Sequence, residues 1–221
     1  MADRVLAEEQ RIAREISSRF QSRWLRGYSA GKIRRDPVYR RIWELTRGRQ
    51  LPLLDVGCGI GLLAFYLRAR GEDRRIVGTD FDGAKIAVAK AASSGVADVS
   101  FHHGDVREAL NHKGDVALLD VLQYLPEEEQ PGFLNSLGEM VAPGGMLVLR
   151  TTLRDASWRF RVSWAMEIFA GVIRWMRRDT LAFPSKEEVM APFRSEKWQI
   201  HSEPLWERNP FNTHLFVFRR I

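Results

Sequence analysis

The sequence predicts an α/β protein, with a mostly parallel sheet covered by helices on both faces. Three observations carry that expectation. Between Leu51 and Thr151, short apolar runs alternate with stretches of helical periodicity, the signature of βαβ units. The first run passes through closely spaced glycines straight into a helical pattern. Two aromatic, alternating segments close the chain and suit an antiparallel edge.

The elements follow in order. Val5, Ile12, Ile16 and Phe20 recur at helical spacings within residues 3–26, so a first helix is expected there. Gly27 to Gly31 is expected to break it. Asp36 and Pro37 open a second helix to about Thr46, with Asp as the cap and Pro at the first helical position. Then come Leu51–Val56 and a helix over 60–70, Arg75–Thr79 and a helix over 82–94, Val99–His102, Val116–Leu119 and a helix over 127–141, and Met146–Thr151. Trp158, Val162, Ala165, Phe169, Val172 and Met176 predict a helix over 157–176. A short helix from Pro184 and Ser185 to Ala191 and two strands, Trp198–Ser202 and Leu215–Phe218, finish the chain. Residues 1–49 thus read as an N-terminal helical cover that contributes to a substrate site. Residues 50–221 read as the core, with 154–183 an inserted helical segment.

Composition narrows the function classes. The 221 residues are 45% apolar and 28% charged, which excludes wholesale disorder. No apolar run reaches the length of a bilayer span. The start lacks a secretory h-region, and one cysteine forms neither an internal disulfide nor a cysteine-based zinc site. A soluble cytoplasmic protein without a metal centre is the expectation. The net charge of +6 is unevenly spread. Residues 1–49 carry +7, residues 50–153 carry −5 and residues 154–178 carry +4, while all seven tryptophans lie outside 50–153. An acidic centre with basic, aromatic flanks implies that centre and flanks do different work.

The chemistry starts at Leu53-Leu-Asp55-Val-Gly57-Cys58-Gly59-Ile-Gly61. Glycines let the backbone turn sharply and bring N–H groups close to a ligand. The spacing is not that of a dinucleotide loop, whose sixth position here is Leu62. The preceding Asp55 would repel a pyrophosphate and attract an α-amino group. Asp80 ends the next strand, where a carboxylate accepts from ribose hydroxyls, or caps a helix. Phe81 offers a face for adenine. Gly104-Asp105 follows the third strand, and Asp120-Val-Leu-Gln-Tyr124-Leu-Pro ends the fourth. The implied ligand has an adenosine, no phosphate and a cationic end, as S-adenosylmethionine does.

Together with Pro143-Gly-Gly-x-Leu-x-Leu-Arg150, these motifs resemble the class I S-adenosylmethionine-dependent methyltransferases over about residues 50–152. The resemblance implies a Rossmann-like seven-stranded sheet with its last strand antiparallel. It implies that Asp55, Gly57 and Gly59 line the methionine part, in a loop that Cys58 and Gly61 complete. Asp80 would hold the ribose, Phe81 and Val106 would flank adenine, and Asp105 would meet its amino group. Asp120 would contribute mainly backbone beside the amino-acid moiety. One departure is Gln123, where related sequences often have His, which removes one base.

Acceptor-side residues are expected in the flanks. Gly27 to Tyr39 resembles a segment of some bacterial small-molecule methyltransferases and reads as an entrance, in which Tyr28 and Lys32 face the donor site or are solvated loop residues. Arg150 binds an anionic substrate group or pairs with an acidic neighbour. Asn212 and His214 are further candidates, against a loop or cap role. The Arg- and Trp-rich 154–178 segment covers the sheet, closes over an apolar pocket, meets an anionic membrane surface, or docks an acidic carrier protein. The expected reaction is methyl transfer to a small aromatic or lipophilic acceptor, carboxylated or carrier-tethered. The alternatives are an RNA methyltransferase, disfavoured because no RNA-binding module is present, and a cofactor-binding partner protein without catalysis.

Overall fold

The structure, a computed structural model, describes residues 2–105, 111–172, 181–206 and 210–221. Seven strands form a sheet in the order β3-β2-β1-β4-β5-β7-β6, so the α/β expectation holds. The chain divides into two compact units, Met1–Glu108 and Ala109–Ile221.

In the first unit, α1 (Ala2–Ser18), α2 (Arg23–Arg35) and α3 (Val38–Thr46) precede β1 (Leu53–Val56). Then follow α4 (Leu62–Ala69), β2 (Ile76–Asp80), α5 (Gly83–Ala92) and β3 (Val99–His103). The three strands pair in parallel, Leu53 opposite Ile76 and Ile76 opposite Val99. Helix α4 is apolar nearly all round, and Leu62 to Leu67 are all buried. A helix of that kind needs cover on its outer side as well as from the sheet. The N-terminal helices supply it: Ile12, Ile16, Val38 and Ile42 are fully buried, and Tyr66 donates to Glu9 at 2.7 Å.

One expectation fails here. The first helix ends at Ser18, not at 26, and Gly27 to Gly31 lie inside α2. Arg19 and Phe20 close the helix with tight bonds to Ile16 and Ser17. The Phe20 ring turns inward, edge-on to Phe65 at 6.2 Å. Its burial dictates the break. Glycine inside a helix costs only about 1 kcal/mol, and neither Gly27 nor Gly31 has a positive φ. The next helix starts at Val38 with Pro37 at its cap, one residue later than expected, and Asp36, just outside it, accepts from the Val38 N–H at 3.1 Å.

The second unit holds β4 (Asp115–Leu119), α6 (Gln130–Met140), β5 (Met146–Thr152) and α7 (Trp158–Val172). It ends with α8 (Lys186–Met190), β6 (Trp198–Pro204) and β7 (Thr213–Arg220). Every residue of β5 is buried, as expected of an interior strand with both faces covered. Strand β7 is antiparallel to both β5 and β6. The antiparallel strand is therefore interior, and the edge is β6, whose residues alternate in exposure. The expected helix end at 176 lies outside the described residues.

Candidate functional site

The glycine loop of the first unit is held by the neighbouring strand. Gly57, Gly59 and Gly61 have φ of +74°, +56° and +83°, a region closed to most side chains. The Gly57 and Cys58 N–H groups both donate to the Thr79 carbonyl, at 2.8 and 3.0 Å. The Gly59 N–H donates to Asp80 Oδ2 at 2.8 Å, and the Asp82 N–H to Asp80 Oδ1 at 2.9 Å. Asp80 thus clasps the loop and keeps a lone pair on each oxygen for a ligand. The cap of α5 falls to Asp82, which accepts from Ala84 and Lys85.

Close approach explains two of the glycines. A Cβ on Gly61 would lie 2.5 Å from the Phe101 ring, and one on Gly78 would lie 2.6 Å from the same ring and 2.8 Å from Cys58 Sγ. Cys58 is therefore a small buried side chain fitted between loop and sheet. Burial raises its thiol well above the ordinary range, so it stays protonated and unreactive. Neither Gly78 nor Phe101 stood out in the sequence reading, although a glycine inside an apolar strand signals such an approach.

Asp55 is the electrostatic centre of this unit. It is 2% exposed, and its pKa is pushed up to about 7, first by burial and then by the Asp80 charge. A buried carboxylate in that state favours a cation beside it. Phe81, on the segment after β2, is 49% exposed, and its carbonyl accepts from His103 Nε2 at 2.9 Å. Asp105 follows β3 and is half-buried. Val106 lies outside the described residues.

The N-terminal candidates sit on α2 rather than on a loop. Tyr28 stacks flat on Trp24, one turn away, at 5.5 Å. Lys32 pairs with Asp36 at 2.9 Å.

In the second unit, Asp120 follows β4 with φ +58°. Arg150, 5% exposed, grips the Asp120 carboxylate with two N–H groups: Nε donates to Oδ1 at 2.9 Å and Nη2 donates to Oδ2. Of the two readings of Arg150, the structure gives the acidic neighbour. The fork fixes both residues at once, and the Asp120 N–H donates back to the Arg150 carbonyl at 2.9 Å. Gln123, 1% exposed, donates to the Asp120 carbonyl at 3.3 Å and accepts from Thr151 Oγ1 at 3.2 Å. Tyr124 reaches α7, donating to Glu167 at 3.0 Å. Asn212 and His214 stand where β7 begins, beside the carboxyl end of β5.

Residues 53–145 match the family described as methyltransferase domain. That stretch belongs to the methyltransferase domain family. The ubiquinone biosynthesis O-methyltransferase of Sinorhizobium medicae is 31% identical over 166 residues, covering 71% of this chain and 60% of the relative. The enzyme of the same name from Brucella anthropi is 32% identical over 157 residues, covering 67% and 57%. The chain therefore spans less than two thirds of these relatives' length. Among solved structures, the pyocyanin biosynthetic protein PhzM has a TM-score of 0.67 at 22% identity, over 94% of this chain and 61% of that one. Magnesium protoporphyrin IX methyltransferase from Synechocystis, with bound SAH, has a TM-score of 0.63 at 18% identity, covering 83% and 82%. The cyclase SpnF has a TM-score of 0.64 at 17% identity, covering 90% and 83%. Such likenesses establish the fold, and a cyclase among them means that activity has to be argued from side chains.

Proposed function

We propose that the protein transfers a methyl group from S-adenosylmethionine to a phenolic hydroxyl of a small lipophilic acceptor. Asp55 carries this reading: a buried carboxylate beside a left-handed glycine loop suits the α-ammonium of the donor. The other residues fit the same molecule. Asp80 retains the acceptor capacity for a ribose diol, Phe81 offers an exposed ring to adenine, and Asp105 follows the adjacent strand. The names of the relatives, O-methyltransferases of ubiquinone biosynthesis, favour oxygen as the acceptor atom and a lipophilic ring as its bearer.

The donor supplies an electrophilic methyl on a sulfonium. The protein's part is to position and to exclude water. Asp55 and the loop hold the amino-acid end, and Asp80 the sugar. A phenol keeps its proton near neutral pH, so this acceptor also needs a base.

Among the described residues, no helix is long and apolar enough to cross a membrane. Helix α7 nonetheless buries Ser163 at 2% while Trp158, Trp164, Met166 and Ile168 are 59, 51, 49 and 41% exposed. Arg161 lies exposed on the same helix, while Arg154, before it, is paired with Glu188 at 3.0 Å. We propose that this face meets an anionic membrane surface, from which a lipophilic acceptor would be drawn, with the protein otherwise in the cytoplasm.

Calorimetry with S-adenosylmethionine, its demethylated product and NAD tests the donor. Transfer of labelled methyl to 4-tert-butylcatechol, with the product identified by mass, tests the acceptor atom. Binding of both adenosyl compounds and a methoxy product are expected. NAD binding with no response to S-adenosylmethionine would overturn the reading.

A further inference from the structure

Helix α2, in the first unit, presents exposed arginines without matching acids. From Ile16 to Arg35 the chain has six basic residues and no acidic one. The neighbouring helices pair their arginines: Arg11 meets Glu8 at 2.8 Å and Glu15 at 2.9 Å, and Arg41 meets Glu44 at 3.3 Å. On α2, Lys32 is matched by Asp36 at 2.9 Å. Arg23, Arg26, Arg34 and Arg35 are all exposed, and among the described residues none of the four meets a carboxylate. Arg26 and Arg34 bond backbone carbonyls instead, of Gln21 at 3.0 Å and Ala30 at 3.1 Å. Like charges gathered on one short helix repel one another, a cost that an anionic partner would offset.

The same face is bare between its charges. At 3.6 residues per turn, Arg23, Arg26, Gly27, Ala30 and Arg34 fall on one side of the helix, with Trp24 and Gly31 along its border. Glycine weakens a helix interior, and the fold requires it at neither position. Neither Gly27 nor Gly31 has a positive φ, and an added Cβ would meet nothing within 4 Å at either. With Ala30, the two leave a smooth strip of backbone between two groups of arginines. Arg26 and Arg34 stand about 12 Å apart along the axis, and Arg23 and Arg34 about 17 Å. Beside the strip, Trp24 is 53% exposed and stacks parallel to Tyr28 at 5.5 Å.

We propose that this face of α2 docks an acidic helix of a partner protein, laid against Gly27, Ala30 and Gly31 with its carboxylates paired to the arginines at both ends. Small side chains at the contact let two helix axes come close. Carboxylates two to three turns apart on the partner match the spacings from Arg26 and Arg23 to Arg34. Guanidinium forks take a carboxylate with two bonds each, and an unneutralised cluster steers an acidic partner from a distance. Trp24 adds an aromatic ring of the kind enriched at protein interfaces. A bilayer surface asks for a continuous apolar face, and Trp24 is the one exposed large apolar side chain of this helix. A nucleic-acid strand presents closely spaced phosphates and has no use for so wide a gap between cations. The face uses none of the donor-holding groups, so the proposal goes beyond the methyl-transfer reading and stands apart from it.

Calorimetry of the whole chain with a synthetic helical peptide tests the surface, the peptide carrying glutamates two and three turns apart on one face with alanines between them. Binding that weakens with added salt is expected, with no binding of the same peptide carrying glutamine for glutamate. Arg23→Glu combined with Arg26→Glu should lower the affinity at least about tenfold without lowering the urea midpoint. Gly27→Gln combined with Gly31→Gln should lower it comparably and raise the urea midpoint, because the helix gains while the approach is blocked. A peptide that does not bind, or binding that either double variant leaves unchanged, would overturn the proposal. So would tighter, Arg23-dependent binding of oligouridylate or of phosphatidylglycerol vesicles, or a dimer of this chain in sedimentation that the charge reversal dissolves. Failure of the donor reading would appear separately, as absent heat with S-adenosylmethionine in the unaltered protein.

Discussion

Replacing Asp55 by Asn should make the protein more stable and a poorer binder of its donor. The magnitude follows from the shift of the Asp55 pKa from 3.8 to about 7. Between those values the folded chain keeps a proton that the unfolded chain has released, so stability falls as pH rises through the window. At about 1.4 kcal/mol per unit, the penalty is roughly 4 kcal/mol above pH 7, about 2 at pH 5, and absent below 3.8. An amide of the same shape carries no such penalty at any pH. Urea unfolding at pH 5 and pH 8.5 should therefore show Asp55→Asn gaining more at the higher pH, by about 2–3 kcal/mol. Calorimetry should show the opposite sign for S-adenosylmethionine, with at least about tenfold weaker binding, because an amide cannot form the charge-assisted bond to an ammonium. A variant no more stable than the parent at pH 8.5, or one with the same gain at both pH values, would refute the reasoning.

Other expectations are read with similar tools. Asp80→Ala should weaken donor binding and free the loop: the Gly59 and Asp82 amides, now bonded to the carboxylate, should lose hydrogen-exchange protection, and an unchanged dissociation constant would remove the ribose role. Gly61→Ala should cost more stability than Gly78→Ala, by about 1 kcal/mol, because both added methyls strike Phe101 but only Gly61 also has a left-handed φ. Adding Phe101→Leu should rescue Gly78→Ala more fully than Gly61→Ala, as measured by urea midpoint. Flotation with phosphatidylglycerol vesicles should recover the protein, and the pair Trp164→Glu and Ile168→Glu should abolish it. Equal recovery with neutral phosphatidylcholine would argue against the role of the arginines, and recovery with neither would remove the membrane contact.

Local periodicity made the β-α alternation from Leu53 to Thr152 legible, because each short run carries its own burial pattern. The order of the last strands was not legible. Placing β7 between β5 and β6 depends on pairings such as Leu147 with Phe218, and nothing local encodes so distant a partner. The glycines at 27 and 31 misled for a related reason. Whether a glycine breaks a helix depends on its surroundings, and here the burial of Phe20 against Phe65 decided the break instead. At the site, Asp80 and Asp82 share one residue type and divide two tasks, a division set by the loop amide at Gly59. The Arg150–Asp120 fork joins residues 30 positions apart, which is why Arg150 alone admitted two readings.

Among the described residues, several costly features stand at the carboxyl ends of individual strands. Within β1 stands a desolvated acid, glycines at positive φ follow it, and after β4 stands an aspartate at φ +58°. Beside β5, where β7 begins, the Asn212 amide oxygen is buried without a partner. The Asp55 charge is a cost to the fold that one substitution, Asp55→Asn, would relieve. Strain, desolvation and unpaired polar atoms persist where a ligand would relieve them. Asp55 would be relieved by a cation, as the proposed donor's ammonium supplies. On the proposed reading, donor recognition therefore lies in the acidic centre of the sequence.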